Sequence, residues 1–333
     1  MINRFIGNLF YAYESLKIKN ISKKIELVFG PDLIKYNEDE AVVLCLVRNG
    51  ETWMRDFITH YQKKGFAHIV FLDTGSIDST EKIARKNENI TFLKTNISFK
   101  RNNVLLRRYL VERFARNHWS LTVDIDELWD YPYSSDVPLK KFLQYVRASG
   151  ANAVVAQMLD MFMDSIPKKE HSLSSYDSYD ISHIKKDLLT SEQAFSGERF
   201  NFKRILSPEV KFFSGGIRSD VFGLKNVWLT KIPLLFYSDS LEPLRHQHFS
   251  NNATIADVST VLFHYKFTHH FPEQIKDAVE HEQYLDNSKE YKKYDKVSEN
   301  LNFKQVADKK LGSTDQLIES QFLVVSEAYK KLV

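Results

Sequence analysis

Two carboxylates one residue apart, Asp124 and Asp126, follow a short apolar run within the segment 119–131. Carboxylate oxygens suit Mg²⁺ and Mn²⁺, and a cation held by so few protein ligands keeps positions open for a diphosphate. The doublet therefore predicts metal-assisted chemistry on a phosphorylated substrate. The simpler interpretation is a strand end followed by a turn, and the doublet alone does not decide between the two.

The chain before this doublet alternates strand-like and helix-like segments, which is typical of βα units that feed a parallel sheet. Asp78 and Glu81 have the spacing of a capping box, and Gly65 is the expected end of the first helix. The predicted strands are Val42–Val47, His68–Leu72, Ile90–Thr95 and Ser120–Val123, and the predicted helices start at the Asn49 cap, near Asp78 and at Val104.

Asp73 directly follows the second predicted strand and has no capping role to account for it. An acidic side chain at the carboxyl end of a parallel strand lies in the crevice where open α/β sheets bind ligands. There it can accept hydrogen bonds from a base or a ribose. Because the fourth strand delivers Asp124 and Asp126 to the same edge, we expect the three carboxylates to converge.

These motifs resemble the nucleotide-sugar-binding half of the family 2 glycosyltransferases with a GT-A fold, in the bacterial branch that has an Asp-x-Asp-Glu motif. Gly50 departs from the pattern because it separates Asn49 from Glu51. The resemblance implies an α/β fold with a GT-A-like mixed, mostly parallel sheet flanked by helices and with C-terminal helical additions. The matching positions are Arg48, Asn49 and Glu51; Asp73, Gly75, Ser76 and Asp78; and Asp124, Asp126 and Glu127.

The resemblance also implies a metal-dependent glycosyltransferase of hexosyltransferase type that uses a UDP-linked nucleotide-sugar donor, Mn²⁺ or Mg²⁺, and inverts the anomeric carbon. Its acceptor would be a glycan or a lipid-linked glycan in bacterial surface polysaccharide synthesis. The expected metal ligands are Asp124, Asp126 and His264. The expected donor-binding residues are Arg48, Asn49, Asp73, Arg101, Asp124 and Arg218.

His264 follows a strand-like run at Val261–Phe263, and a neutral imidazole is a good ligand for Mn²⁺. His246 and His248 are alternatives, and an ordinary core or surface histidine is the simpler interpretation of each. The basic residues of the third helix would either face the diphosphate or form a solvated surface. They are Lys100, Arg101, Arg107 and Arg108.

An inverting transfer needs a carboxylate to take the proton from the acceptor hydroxyl. The Glu-Asp pair that serves in many relatives is not evident here, so the available acids are Asp220, Asp239 and Glu242. We expect Asp220 or Glu242 to be catalytic. Asp220 and Arg218 follow paired glycines in the segment 212–223, which the resemblance places on the acceptor side.

Two other classes of protein remain open. A phosphatase of the haloacid-dehalogenase type also has Asp-x-Asp after a strand, but there the doublet follows the first strand of the core, whereas three βα units come first here. A non-catalytic scaffold with a degenerate transferase fold would bind a nucleotide sugar without turnover.

Composition agrees with an intracellular enzyme. The net charge of +3 over 333 residues is too small to indicate a nucleic-acid partner. Cys45 is the single cysteine and lies in the first apolar strand, so a buried thiol is expected. No apolar run reaches the ~20 residues of a membrane-spanning helix, and no secretory cleavage pattern is present. We therefore expect a cytoplasmic location.

The expected organisation is an amphipathic N-terminal helix with a lead-in at 1–38, a catalytic domain at 39–270 and a C-terminal helical extension at 271–333. The catalytic domain divides into a nucleotide-sugar-binding half, 39–131, and an acceptor-side half, 132–270. The apolar face of residues 1–20 fits contact with the inner face of the cell membrane, or docking on the protein's own domain or a partner subunit. We also expect a surface loop at Ser172–Ser182 and a last amphipathic helix at Leu317–Leu332.

Overall fold

The computed structural model describes residues 16–195, 198–238, 241–244, 246–281, 285–297, 303 and 309–333. The strands are β1 Ile25–Phe29, β2 Ala41–Val47, β3 His68–Asp73, β4 Ile90–Thr95, β5 Trp119–Asp124, β6 Glu127–Asp130, β7 Ala153–Asp160, β8 Ser178–Tyr179, β9 Ile184–Leu188, β10 Glu192–Phe195, β11 Glu198–Asn201, β12 Arg204–Ile205, β13 Lys211–Gly215, β14 Thr230–Phe236, β15 Thr254–His264 and β16 Lys309–Lys310. The α-helices are α1 Glu51–Lys63, α2 Thr80–Ala84, α3 Phe99–Phe114, α4 Leu139–Ala148, α5 Ile217–Phe222, α6 Phe271–His281, α7 Leu285–Val297, α8 Asp315–Glu319 and α9 Glu327–Lys330.

Ten strands form one central sheet in the order β1-β4-β3-β2-β5-β14-β7-β15-β12, with β6 beside β15. β4, β3, β2 and β5 are parallel, and so are β7, β15 and β12. β14 is antiparallel to both of its neighbours, β5 and β7. The two parallel groups therefore run in the same direction, and their carboxyl ends share one edge. This mixed, largely parallel sheet with flanking helices confirms the predicted fold class.

Apolar side chains cover both faces of the parallel part of the sheet, as is typical of parallel strands. All seven residues of β2 are buried. Val43 and Cys45 pack in one core with Trp53 of α1, whereas Leu44 packs in the opposite core with Leu106 of α3. The predicted buried thiol of Cys45 is confirmed.

Several predicted helix ends differ from the structure. The N-cap of α1 is Gly50 and not Asn49, although Gly65, with φ +87, does follow the end of that helix. The N-cap of α2 is Ser79, so the capping box is wrong. Glu81 instead pairs with two cations, Arg85 and Lys94, each at 2.6 Å. α3 begins at Phe99, five residues before the predicted start at Val104.

The predicted helix Leu317–Leu332 is also wrong. α8 and α9 are short, and the segment between them lies along β15, where Val324 and Ser259 exchange two hydrogen bonds. Phe322 and Tyr329 are buried in the same core as β2. A single straight helix could not bury these side chains and also keep the hydrogen bonds of Val324 to the strand.

Ser172–Ser182 is not a simple surface loop. Leu173 and Tyr176 are buried in the main core, and β8 in the same segment pairs with β16. The apolar residues of this polar-looking stretch attach it to the fold.

The expected domain boundaries stay predictions.

The apolar face expected for the N-terminal helix lies at Ile2, Phe5, Ile6, Leu9, Phe10 and Tyr13, outside the described residues. Within the described part of the chain, no helix combines the length and the apolarity needed to span a bilayer.

Candidate active site at the carboxyl edge of the sheet

Four strands that run in the same direction each end in a polar residue. β3 ends at Asp73, β5 at Asp124, β7 at Asp160 and β15 at His264. These residues therefore lie along one edge, the position at which open α/β sheets bind ligands. The tertiary structure brings together residues that lie up to 191 positions apart, from 73 to 264.

The two carboxylate oxygens of Asp73 differ in their hydrogen bonding within the described residues. Oδ1 accepts the backbone N–H groups of Gly75, at 3.0 Å, and Ser76, at 2.8 Å. No described residue donates a hydrogen bond to Oδ2, which is buried. An unsatisfied buried acceptor costs free energy, so this oxygen is suited to an N–H or hydroxyl group of a ligand.

The loop after β2 is tied to the loop after β3. The backbone N–H of Asn49 donates to Ser76 Oγ at 2.8 Å, and Asn49 Oδ1 accepts the N–H of Ile77 at 3.0 Å. Asn49 holds a positive φ of 53°, which asparagine tolerates better than most residues. Arg48 Nη1 lies 3.4 Å from Asp277 Oδ2 of α6. Asn49 thus shapes the loop beside Asp73.

Gly50, the departure from the family pattern, has a packing reason. A Cβ at this position would lie 2.6 Å from Val47 Cγ2 and 3.0 Å from Ile125 Cγ1. The N–H of Gly50 donates to Thr80 Oγ1 at 2.7 Å. Glycine therefore lets the start of α1 pack closely against the turn that follows Asp124.

Asp124 lies between two buried cations. Arg107 Nη2 donates to Asp124 Oδ1 at 2.5 Å, and Lys231 Nζ donates to Oδ2 at 3.1 Å. Burial by itself would raise the pKa of Asp124, but the charges of Arg107 and Lys231 outweigh it and hold that pKa below its ordinary value. Asp124 is therefore ionised and paired with two cationic side chains at the sheet edge.

Glu127, the last residue of the Asp-x-Asp-Glu motif, is buried and connects Lys231 to the backbone of Asp124. Oε1 accepts from Lys231 Nζ at 2.5 Å, and Oε2 accepts the backbone N–H of Asp124 at 3.0 Å. Its side chain is 1% exposed. Both oxygens are engaged, so Glu127 shapes the turn that carries Asp126.

Asp126 and His264 face each other across the edge. His264 Nε2 lies 3.3 Å from Asp126 Oδ2. Burial would lower the pKa of His264, but the carboxylates of Asp126 and Asp160 raise it to about 9. Burial would likewise raise the pKa of Asp126, and His264 holds it below its ordinary value. The Asp126 side chain is 20% exposed, so the pair can be reached by a ligand.

The second ring nitrogen of His264, Nδ1, contacts the buried carboxylate of Asp160. Asp160 Oδ1 lies 2.5 Å from His264 Nδ1, and Arg218 Nε donates to Asp160 Oδ2 at 2.9 Å. Arg218 also contacts Met158 Sδ at 2.8 Å. The guanidinium of Arg218, expected to bind the donor, is thus engaged with a buried carboxylate.

Helix α7 places a charged side chain near Arg218 and His264. Glu290 of α7 accepts a hydrogen bond from the Tyr294 hydroxyl. Burial would raise the pKa of Glu290, but Lys266 and Arg218 lower it. Lys266 Nζ in turn donates to the Tyr291 hydroxyl at 3.3 Å. Residues of α7 therefore belong to the electrostatic surroundings of His264.

Asp126 and His264 fit a divalent cation as two neighbouring ligands. Two adjacent ligands of an octahedral ion with bonds of about 2.1 Å lie roughly 3 Å apart, close to the separation of Oδ2 and Nε2. Asp124, expected as a third ligand, has both oxygens bound to cations. Within the described ranges, no cluster of three or more His, Cys, Asp or Glu side chains forms a metal site. Oxygens of a diphosphate and water would have to complete the coordination.

The two expected catalytic carboxylates lie in different surroundings. Asp220 Oδ1 is 3.6 Å from His183 Nε2, and its side chain is 43% exposed. Glu242 is buried and accepts from Asn251 Nδ2 at 3.1 Å. Asp239 lies outside the described residues.

The other predicted residues have separate roles. Arg101 is exposed and lines a cleft with Ile21 and Asn103. His248 Nδ1 lies 3.0 Å from the Thr230 carbonyl, and burial lowers its pKa. Of the basic residues predicted on α3, Arg107 contacts Asp124.

Sequence reasoning missed Lys231 and Asp160. Asp160 follows an apolar run, AVVAQML, just as Asp73 and Asp124 follow theirs, and that signal was readable. Lys231 interrupts the apolar stretch of β14, and a lysine in such a stretch needs a buried partner. The chain position of that partner could not be read from the sequence.

No protein-family model matches this chain, and no curated protein sequence matches it. Among solved structures, S. aureus TarS, residues 1–349, is similar at 16% identity over 43% of this chain and 41% of that chain, with a TM-score of 0.29. The mannosyltransferase PcManGT from Pyrobaculum calidifontis, in complex with GDP-Man and Mn²⁺, is similar at 16% identity over 50% of this chain and 44% of that chain, with a TM-score of 0.28.

The chain spans less than half the length of either solved structure. Similarity this distant carries no conclusion about activity. The chemistry therefore has to be inferred from the side chains at the sheet edge.

Proposed function

We propose that this protein is a metal-dependent glycosyltransferase that moves a hexose from a UDP-linked nucleotide sugar to a glycan or lipid-linked acceptor. The observation that carries the proposal is the shared edge of the sheet. This edge carries three features. Asp73 Oδ2 is a buried carboxylate oxygen without a described hydrogen-bond donor, Asp124 is bound by Arg107 and Lys231, and Asp126 faces His264. The choice of uridine, the inversion and a place in bacterial surface polysaccharide synthesis rest on the sequence resemblance.

Each end of a nucleotide-sugar donor has a matching group on this edge. Asp73 Oδ2 accepts a hydrogen bond from the base, and Asn49 shapes the loop beside it. Asp126 and His264 hold Mn²⁺ or Mg²⁺, which when bound supplies positive charge to the diphosphate. Arg107 and Lys231 bind the two oxygens of Asp124 and so offset its negative charge beside the diphosphate. Arg48 and Arg101 lie on the loop and helix that border this edge and complete the proposed donor contacts.

The transfer breaks the bond between the anomeric carbon and the phosphate oxygen and forms a bond to the acceptor oxygen. Negative charge develops on the departing diphosphate, so preorganised cations at the edge lower the barrier. The proton of the acceptor hydroxyl passes to a carboxylate. Asp220 is the better candidate because it is 43% exposed, whereas Glu242 is buried against Asn251.

The geometry disfavours a phosphatase that uses Asp124 as its nucleophile. Arg107 and Lys231 each bind one oxygen of this carboxylate, and a carboxylate so neutralised attacks a phosphorus centre poorly.

We propose a cytoplasmic location, with residues 1–20 as the segment that would contact the inner face of the membrane.

The test uses the purified full chain with a panel of nucleotide sugars and Mn²⁺, and follows both binding and slow hydrolysis of the donor. We expect at least one UDP-sugar to be bound and hydrolysed in the presence of Mn²⁺, and Asp126→Ala to abolish hydrolysis. Asp136→Ala, which removes an exposed acid outside the site, is the matched control. Equal hydrolysis by Asp126→Ala would exclude the proposed metal site. Donor binding without turnover under all conditions would favour the scaffold.

A further inference from the structure

Four side chains in successive contact lead from the interior of the fold to the candidate metal position. Arg218 donates to Asp160, Asp160 faces Nδ1 of His264, and Nε2 of His264 faces Asp126. The four residues come from α5, β7, β15 and the turn after β5. The three donor–acceptor distances are 2.9, 2.5 and 3.3 Å.

The sheet itself places Asp160 beside His264. β7 and β15 are parallel, and their last residues, Asp160 and His264, are directly paired in the register. Paired residues of neighbouring strands project to the same face, so the carboxylate reaches the ring without any loop rearrangement. The contact is therefore set by the register of two neighbouring strands of the sheet.

Asp160 has no place of its own in the proposed reaction. Its side chain is 3% exposed, and each of its two oxygens faces a nitrogen of Arg218 or His264. A carboxylate so enclosed can neither reach an acceptor hydroxyl nor bind the donor. Its effect has to pass through the imidazole.

We propose that Asp160 is a positioning residue that holds the His264 ring in the orientation and tautomer needed for cation binding. A carboxylate at Nδ1 keeps the proton on that nitrogen, so Nε2 is the nitrogen that would bind a divalent cation, with release of its own proton to solvent. Arg218 in turn fixes the Asp160 carboxylate by its hydrogen bond to Oδ2. The inference rests on the proposed function, because it concerns the same cation.

The variant Asp160→Asn tests this role with little change in volume. The amide has one acceptor oxygen, and Arg218 can donate but not accept, so that oxygen is drawn to Arg218. The amide NH₂ then faces His264 Nδ1, which favours the proton on Nε2 and blocks ligation. Loss of such a supporting partner typically weakens metal binding by roughly 10- to 100-fold.

The measurement is a titration of the full chain with Mn²⁺ in the presence of UDP, with free Mn²⁺ followed by electron paramagnetic resonance. Wild-type protein should bind Mn²⁺, and Asp160→Asn should bind it roughly 10- to 100-fold more weakly. Asp130→Asn is the matched control, because Asp130 is also a buried carboxylate, paired with Lys64 at 2.6 Å. It should retain the wild-type affinity.

A double variant separates positioning from general loss of structure. If Asp160 acts only through His264, Asp160→Asn should have no further effect on Mn²⁺ affinity when His264→Gln is already present. Additive losses would overturn the proposal, and so would wild-type affinity in Asp160→Asn. In the latter case the proposed glycosyltransferase would stand. A wild-type protein that binds no Mn²⁺ with UDP would overturn both the proposed cation site and this inference.

Discussion

Lys231 Nζ lies 2.5 Å from Glu127 Oε1, and the two side chains are 9% and 1% exposed. This contact joins the central antiparallel strand β14 to the turn that carries the Asp-x-Asp-Glu motif. Because Glu127 also accepts the N–H of Asp124, the lysine and the glutamate together set the shape of the turn. The turn is thus held by a charge that lies 104 residues away in the chain.

Removal of the lysine charge should destabilise the fold. Lys231→Met would leave the Glu127 carboxylate buried without its cation, which typically costs about 3–5 kcal/mol. The free energy of unfolding from urea denaturation, followed by tryptophan fluorescence, measures the loss. The double variant Lys231→Met with Glu127→Gln should recover part of it, because no unpaired buried charge remains at Glu127. Equal losses in the single and double variants would contradict the pairing.

Asp73→Asn should weaken nucleotide binding while the loop keeps its shape. The amide oxygen can still accept from Gly75 and Ser76, but an NH₂ group replaces the open oxygen Oδ2. Loss of a hydrogen bond to a charged acceptor corresponds to roughly 10- to 100-fold in affinity. Calorimetric titration with UDP and Mn²⁺ measures it, and the exposed Asp136→Asn serves as control. Unchanged affinity in Asp73→Asn would remove its role in base recognition.

Asp220→Asn should lower kcat by about 10²- to 10⁴-fold and leave donor binding unchanged, as expected for loss of a general base. Transfer to a glycan acceptor and binding of the donor are measured separately on the same preparations. Asp187→Asn on β9 replaces another exposed acid of this region and should behave as wild type. If Glu242→Gln shows the loss and Asp220→Asn does not, the base is Glu242.

The stability of the fold should fall in mild acid because of His68. This histidine is 5% exposed at the start of β3, and its Nε2 lies 2.9 Å from Thr91 Oγ1. Burial lowers its pKa from 6.5 to about 4. The unfolded chain therefore binds more protons between these values, so the free energy of unfolding decreases as the pH falls through this range.

At pH ~5 the His68 contribution amounts to about 2 kcal/mol relative to neutral pH, from 1.36 kcal/mol per pKa unit. His68→Gln cannot take up this proton. Its free energy of unfolding should accordingly fall by about 2 kcal/mol less than that of the wild type between pH ~7.5 and ~5. Parallel pH profiles for the two proteins in urea denaturation would show that folding does not lower the pKa of His68.

The strands that carry the site were largely predictable because their signal is local. The runs before Asp73 and Asp124 are short and rich in apolar and β-branched residues, and such runs predict strands. Helix starts were less predictable: the N-caps of α1 and α2 are Gly50 and Ser79, whose N–H groups donate hydrogen bonds to side chains of the neighbouring loop. The C-terminal segment failed for the same reason, since Val324 pairs with β15 and not within a helix.

Residue type and spacing by themselves predicted the βα units, the carboxyl-edge position of Asp73 and Asp124, and His264 as a candidate metal ligand. Only the tertiary structure decided what each side chain contacts. It engaged both oxygens of Asp124 with Arg107 and Lys231 and set Asp160 behind His264. The physical reason is that strand formation depends on neighbours in the chain, whereas a buried charge depends on a partner that the sheet order alone brings near.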